Sequence, residues 1–168
     1  VAVGGYGRRE LCPYSDIDLM FVCDDLEKSS GVVERAVRTL FDAGFDLGHS
    51  VRSPAECLHF MKDDDVTAAT LLESRFLTGS ERLMRQFQEK GLNRYKKHHS
   101  EKFASAKLAS LRNSLEGPGR TIFVTEPHIK EGMCCMRDVQ HVLWIERARR
   151  HVVNFQDMAH HGGFSFEE

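Results

Sequence analysis

No two of the five cysteines, Cys12, Cys23, Cys57, Cys134 and Cys135, stand in a C-x-x-C pair, and their number is odd. Neither a disulfide framework nor a zinc ribbon is indicated, and a reducing cytoplasm suits such a set better. No apolar run approaches the roughly 18 residues of a membrane-spanning helix, and no signal peptide is visible. The expectation is a cytoplasmic protein without a membrane partner. A large charge of one sign is missing as well. The formal net charge is -2, so no global basic field marks a nucleic-acid binder, and no nucleic-acid partner is expected. Internal repeats and low-complexity segments are absent. So is an initial methionine: Val1-Ala2-Val3 reads as the end of a strand already under way, and an excerpt of a longer protein is expected.

What remains is ordinary globular material. Of 168 residues, 41% are hydrophobic and 29% charged, and a chain of this size can bury a core without staples. Val1–Val3 is expected as a short buried strand running into the turn Gly4-Gly5-Tyr6-Gly7. Ile17–Cys23 is almost continuously apolar after Asp18, the pattern of a strand covered on both faces. Val32, Val33, Ala36, Val37, Leu40 and Phe41 recur at helical spacing, with Gly44 where a helix ends. Residues 45–52 read as a third strand. Ser53-Pro54-Ala55-Glu56 is a capping-box signature for a helix through about Met61. Further helices are expected at about 65–78, 80–90 and 100–116, a break at Gly117-Pro118-Gly119, and a strand over 121–125. An amphipathic helix follows from Arg137 to about Arg149, with Val139, Val142, Leu143 and Ala148 inward. Strand, turn, strand, helix, strand and then mostly helices predict a small α/β core over residues 1–78 and a helical segment over 79–168.

The stretch that carries chemistry is Gly4-Gly5-Tyr6-Gly7-Arg8-Arg9-Glu10-Leu11, followed by Tyr14-Ser15-Asp16-Ile17-Asp18-Leu19. Carboxylates at i and i+2 of a strand share a face, about 7 Å apart between Cα atoms. They can share one divalent ion or bracket two ions about 3.5–4 Å apart. Side-by-side carboxylates repel, and a hard cation such as Mg²⁺ removes the difficulty while keeping positions for phosphate oxygens and water. Upstream, the Gly4-Gly5 backbone can approach a phosphate closely and direct N–H groups at it. Ser15 can add a hydroxyl donor. Arg8 and Arg9 can neutralise a triphosphate or lie solvated on the surface. A D-x-D pair alone, or a glycine turn alone, is common and uninformative; the two in succession, on adjoining strands, are specific.

A Gly-Gly turn followed by Asp-x-Asp on the next strand resembles the polymerase-β-type nucleotidyltransferases. The longer string GGYGRREL-x-PYSDIDL is similar to the bacterial PII uridylyltransferase/uridylyl-removing enzymes. So are Gly48-His49-Ser50-Val51-Arg52-Ser53 with Glu56-Cys57, Thr70–Gly79, and Glu126-Pro127-His128-Ile129-Lys130-Glu131-Gly132 with Arg137-Asp138-Val139-Gln140. The resemblance implies an α/β (α+β) fold: a polymerase-β-like core with a small mixed sheet, followed by a mainly helical segment. It implies Asp16 and Asp18 as the metal pair, with Asp46 as a third acid that binds metal or accepts a proton. It further implies Mg²⁺ or Mn²⁺, UTP as donor and a tyrosine hydroxyl of PII as acceptor. Gly4, Gly5, Arg8 and Ser15 fall to the triphosphate, and Lys130 and Arg137 become further substrate contacts. One departure stands out. Where those enzymes usually carry Gly-Gly-Leu before Arg-Asp, this chain has Cys134-Cys135-Met136.

Two alternatives stay open on sequence: transfer of another nucleotide, such as adenylyl, to another acceptor, and a nucleotide-sensing module without turnover. Other features have plain readings. His98-His99 and His160-His161 are solvated pairs, His49 is a packed strand residue, Asp63-Asp64-Asp65 caps the helix after it, and Trp144 is core. Lys96-Lys97 with Arg94 forms an exposed charged face.

Overall fold

The computed structural model describes residues 1–116, 125–126, 128–150 and 152–161. It falls into two compact units, Val1–Lys97 and His98–Glu168. The fold is mixed α/β, as the strand and helix patterns indicate.

In the first unit, a helical turn α1 (Gly4–Arg8) leads to strand β1 (Ile17–Val22), helix α2 (Leu26–Asp42) and strand β2 (Leu47–Arg52). The two strands pair in parallel, Ile17 with Leu47 through Val22 with Arg52. A parallel pair needs a crossover connection, and α2 supplies it. Its start is fixed by the Asp25 carboxylate, which accepts from the Lys28 amide at 3.1 Å. Its end follows from Gly44 at φ +84° just past Ala43, the left-handed position glycine fills without strain. The expected strand at Val1–Val3 is reduced to one residue. Ala2 bridges antiparallel to Leu19 on one side and to Arg75 on the other, so the pairing around β1 is mixed. The continuous apolar run of β1 does not mean burial throughout: only Met20 is buried, the other five positions being intermediate.

The capping box forms as its sequence predicts. Ser53 accepts from the Glu56 amide while Glu56 accepts from the Ser53 amide at 2.7 Å, opening α3 (Pro54–Asp63). Asp64 then caps α4 (Asp65–Leu72), accepting from the amides of Val66 and Thr67. The helix expected to Thr78 stops at Leu72. Helix propensity in Glu73-Ser74-Arg75 yields to tertiary pairing, because the Arg75 amide and carbonyl both bond to Ala2, at 2.9 and 2.8 Å. The two helices expected at 80–90 and 100–116 are one run. α5 (Glu81–Gln86) passes through a π-helical segment (Phe87–Asn93) into α6 (Arg94–Glu116). No proline interrupts this stretch, and the buried Gly91 of the wide turn comes against Phe87 and the Pro54 carbonyl.

In the second unit, α6 continues from His98, followed by α7 (Met136–Arg150) and α8 (Phe155–His160). Leu143, Val152 and Met158 form a core cluster, and Phe103, Trp144 and Ala148 are buried as well. Leu143 and Ala148 face inward as expected, but Val139 and Val142 are 46% and 39% exposed. Gln140, His141 and Arg147 are buried on α7 instead. That choice is tolerable because each can be engaged: Gln140 accepts from Arg137 at 3.2 Å, His141 meets Trp144 edge-on at 5.2 Å, and Arg147 donates to the Val153 carbonyl. The break at 117–119 and all of the strand expected at 121–125 except Thr125 lie outside the described residues.

Candidate functional site

The site begins where the extended Val3 gives way to Gly4, at φ +57°. The next residues close into α1, so the glycine stretch is a helical turn and not an open loop. The first amides of a helix have no acceptor within it, and Val3 makes no side-chain cap. Gly4 and Gly5 thus carry N–H groups at the end of a short helix, a disposition that suits anionic oxygen. Against this end lies the carboxylate of Asp18: a Cβ added to Gly4 would stand 2.8 Å from its Oδ2.

The turn is braced from behind. Gly7 is closed in by the Glu73 carbonyl, which a Cβ would meet at 2.4 Å, and by the Ala2 carbonyl at 3.2 Å. Arg75 donates from Nη2 to the Tyr6 carbonyl at 2.8 Å and from Nε to the Gly7 carbonyl at 3.3 Å. Its guanidinium lies 5.1 Å from the centre of the Tyr6 ring. Arg8, expected at the triphosphate, gives Nη1 to Glu73 at 2.6 Å and Nε to Glu10 at 2.7 Å. Burial lowers the basicity of this guanidinium, but Glu73 and Glu10 outweigh it and leave the pKa raised. Arg8 is therefore engaged in holding α1 to the 73–75 segment.

Between α1 and β1 the chain makes a tight turn, with the Ser15 amide donating to the Cys12 carbonyl at 3.1 Å and Tyr14 at φ +65°. Ser15 and Asp16 follow, both exposed. Asp46 is also exposed and directly precedes β2, its carbonyl accepting from the Ile17 amide at 2.8 Å. By register, Asp16 and Asp46 sit side by side one step before the Ile17–Leu47 pair. Strand alternation assigns them to the face of Asp18 and Gly48. The three acids do not converge into a ready cage: among the described residues, no group of three or more His, Cys, Asp or Glu is placed to hold a metal ion. The donor chemistry nevertheless fits Mg²⁺ or Mn²⁺. The acids are hard oxygen donors, and Mg²⁺ is commonly held by one or two carboxylates, with substrate phosphates and water completing its shell. His49, expected to pack, is exposed on β2.

Lys130 and Arg137 belong to the second unit. Lys130 is exposed in a turn closed by the Arg137 amide donating to its carbonyl at 2.9 Å. Arg137 also faces Glu131 at 3.9 Å and lies 5.6 Å from the Trp144 ring centre. In the Cys-Cys departure, Cys134 adopts φ +56°. A thiol side chain thus stands on a backbone that glycine adopts more easily. Cys135 Sγ contacts the Met133 carbonyl at 3.4 Å.

A cavity of about 330 Å³ lies elsewhere in the first unit, lined by residues that include Met20, Cys23, Val33, Phe76 and Met84. None of the predicted site residues lines it. Sequence reading missed Glu73 and Arg75 as the brace of the glycine turn. The available signal was a pair of opposite charges just after the largely apolar stretch Ala68–Leu72.

Residues 102–168 match the family model described as GlnD PII-uridylyltransferase. The bifunctional uridylyltransferase/uridylyl-removing enzyme of Hydrogenovibrio crunogenus is 34% identical over 168 residues, which is all of this chain and 19% of that protein. Its namesake in Methylococcus capsulatus is 38% identical over 164 residues, 96% of this chain and 19% of that protein. The Caulobacter vibrioides enzyme of the same name is 34% identical and is covered to 18%. The chain thus spans about a fifth of the length of these curated relatives. No solved structure matches it.

Proposed function

We propose that the chain, which is similar along its whole length to a segment of the bifunctional uridylyltransferase/uridylyl-removing enzymes, carries a polymerase-β-like nucleotidyl-transfer site. The reaction is transfer of UMP from UTP to a tyrosine hydroxyl of the PII signalling protein. The tyrosine oxygen forms a bond to the α-phosphorus, the bond from that phosphorus to the bridging oxygen breaks, and pyrophosphate leaves. Catalysis of this kind is chiefly positioning and charge neutralisation.

Asp16 and Asp18 would hold Mg²⁺ or Mn²⁺, with Asp46 beside them as a further ligand or as acceptor of the hydroxyl proton. Such an ion, when bound, supplies charge neutralisation for the triphosphate. Gly4 and Gly5 offer backbone N–H groups to phosphate oxygens, and Ser15 offers a hydroxyl. Arg8 is assigned to holding α1 through Glu73, and Lys130 and Arg137 to substrate contacts.

The observation that carries the reading is the closeness of the Asp18 carboxylate to Gly4, at the amide end of α1. It sets a cation-binding acid beside an anion-binding turn, the two halves a metal-bound triphosphate requires. The test is transfer of label from UTP to PII by the full-length enzyme. Asp18→Asn should abolish transfer while leaving the circular dichroism spectrum unchanged, and near-normal transfer would count against the assignment. Running ATP beside UTP separates uridylyl from adenylyl transfer. The Cys134-Cys135-Met136 departure favours one second reading, a nucleotide-sensing module without turnover. Binding of UTP and Mn²⁺ with no pyrophosphate release would decide for it.

A further inference from the structure

Asp18 stands across from Gly48 in the register of β1 and β2. Its carboxylate occupies the space a side chain at 48 would fill. A Cβ built on Gly48 would lie 2.4 Å from Oδ1, as one on Gly4 would lie 2.8 Å from Oδ2. The carboxylate is therefore held between the two glycines. Gly4 has a backbone reason to be glycine, its φ of +57°, but Gly48 has no positive φ. It lies in regular strand, where glycine costs about 0.5–1 kcal/mol relative to alanine, and the closest atoms to a Cβ there belong to Asp18.

We propose that Gly48 is a positioning residue for Asp18: the missing side chain on β2 lets the carboxylate lean across from β1 and rest against the head of α1. The gap selects the Asp18 rotamer. A methyl group at position 48 forces the carboxylate away from the glycine turn, since contacts below 3 Å between carbon and oxygen fall well inside the usual separation of about 3.5 Å. The steric contact between position 48 and Asp18 is independent of any bound cation. Its consequence for cation binding rests on the nucleotidyl-transfer reading above.

The experiment uses the whole chain and two readouts. In metal-free thermal unfolding, Gly48→Ala should raise the midpoint most beside Asp18→Ala, which removes the obstacle, and less in the parent chain and beside Asp18→Asn, which keeps the same shape. An equal change in all three backgrounds would overturn the proposal. In titrations with Mn²⁺ alone followed by electron paramagnetic resonance, Gly48→Ala should weaken binding by about tenfold or more, the scale of losing an outer-shell support. Unchanged Mn²⁺ affinity would overturn the positioning role. If the parent chain binds Mn²⁺ neither alone nor together with UTP, the nucleotidyl-transfer reading fails, and the unfolding comparison still decides whether Gly48 sets the place of Asp18.

Discussion

At the scale of single residues, the chain carries side chains where the backbone prefers none. Cys134 is the clearest case, an L-residue at φ +56° in the turn that leads into α7. Left-handed backbone costs an ordinary residue roughly 1–2 kcal/mol, and the exposed thiol of Cys134 recovers little by burial. Cys134→Gly should therefore raise the stability of the second unit by about 1 kcal/mol, readable as a higher midpoint in urea unfolding. A lower midpoint would mean that the thiol makes contacts worth more than the strain. Neighbouring Cys135 is a poorer candidate, because its Sγ is engaged with the Met133 carbonyl.

At the scale of elements, local sequence and tertiary pairing divide the control. The start of α3 was legible from four residues because both hydrogen bonds of the capping box are local and depend on nothing distant. Ser53→Ala removes the acceptor for the Glu56 amide and should cost about 1 kcal/mol, measured by chemical denaturation; no change would show that Glu56 alone holds this end. The end of α4 was not legible, since Glu73-Ser74-Arg75 reads as good helix. What stops it is Ala2, more than seventy residues upstream, and single-sequence periodicity carries no such information. The same limit applies to the candidate site. The acids and glycines announced themselves by spacing, whereas the brace by Glu73 and Arg75 and the gap at Gly48 exist only once β1 lies between Ala2 and β2. On α7 the apolar pattern misled, because Val139 and Val142 are exposed while polar residues with partners are buried.

For the molecule as a whole, the buried polar face of α7 makes stability depend on acidity. Burial holds the His141 imidazole below its usual 6.5, and Lys107 and Arg137 add to the effect against the opposing pull of Asp138. The folded form thus binds fewer protons than the unfolded form, and stability from this group is present above 6.5 and declines as pH falls below it. Trp144 is the single tryptophan and touches His141, so its fluorescence reports the second unit directly. Thermal midpoints read at Trp144 should fall from pH 7.5 to pH 5.5, and His141→Gln should flatten that slope. An unchanged slope in the variant would assign the acid sensitivity to other groups.

Ala2 is bonded on both flanks, to Leu19 by a short loop and to Arg75 by a long one. Closing the longer loop costs more chain entropy, though only logarithmically, and distant pairings are slow to form. During folding, the segment with the acids can therefore meet the first residues well before the strut behind the glycines arrives. Bracing of the glycine turn should then lag behind the strand pairing itself. Pulsed hydrogen exchange during refolding would register the lag as later protection at the Arg75 amide than at Met20, and simultaneous protection would indicate that the whole unit closes in one step.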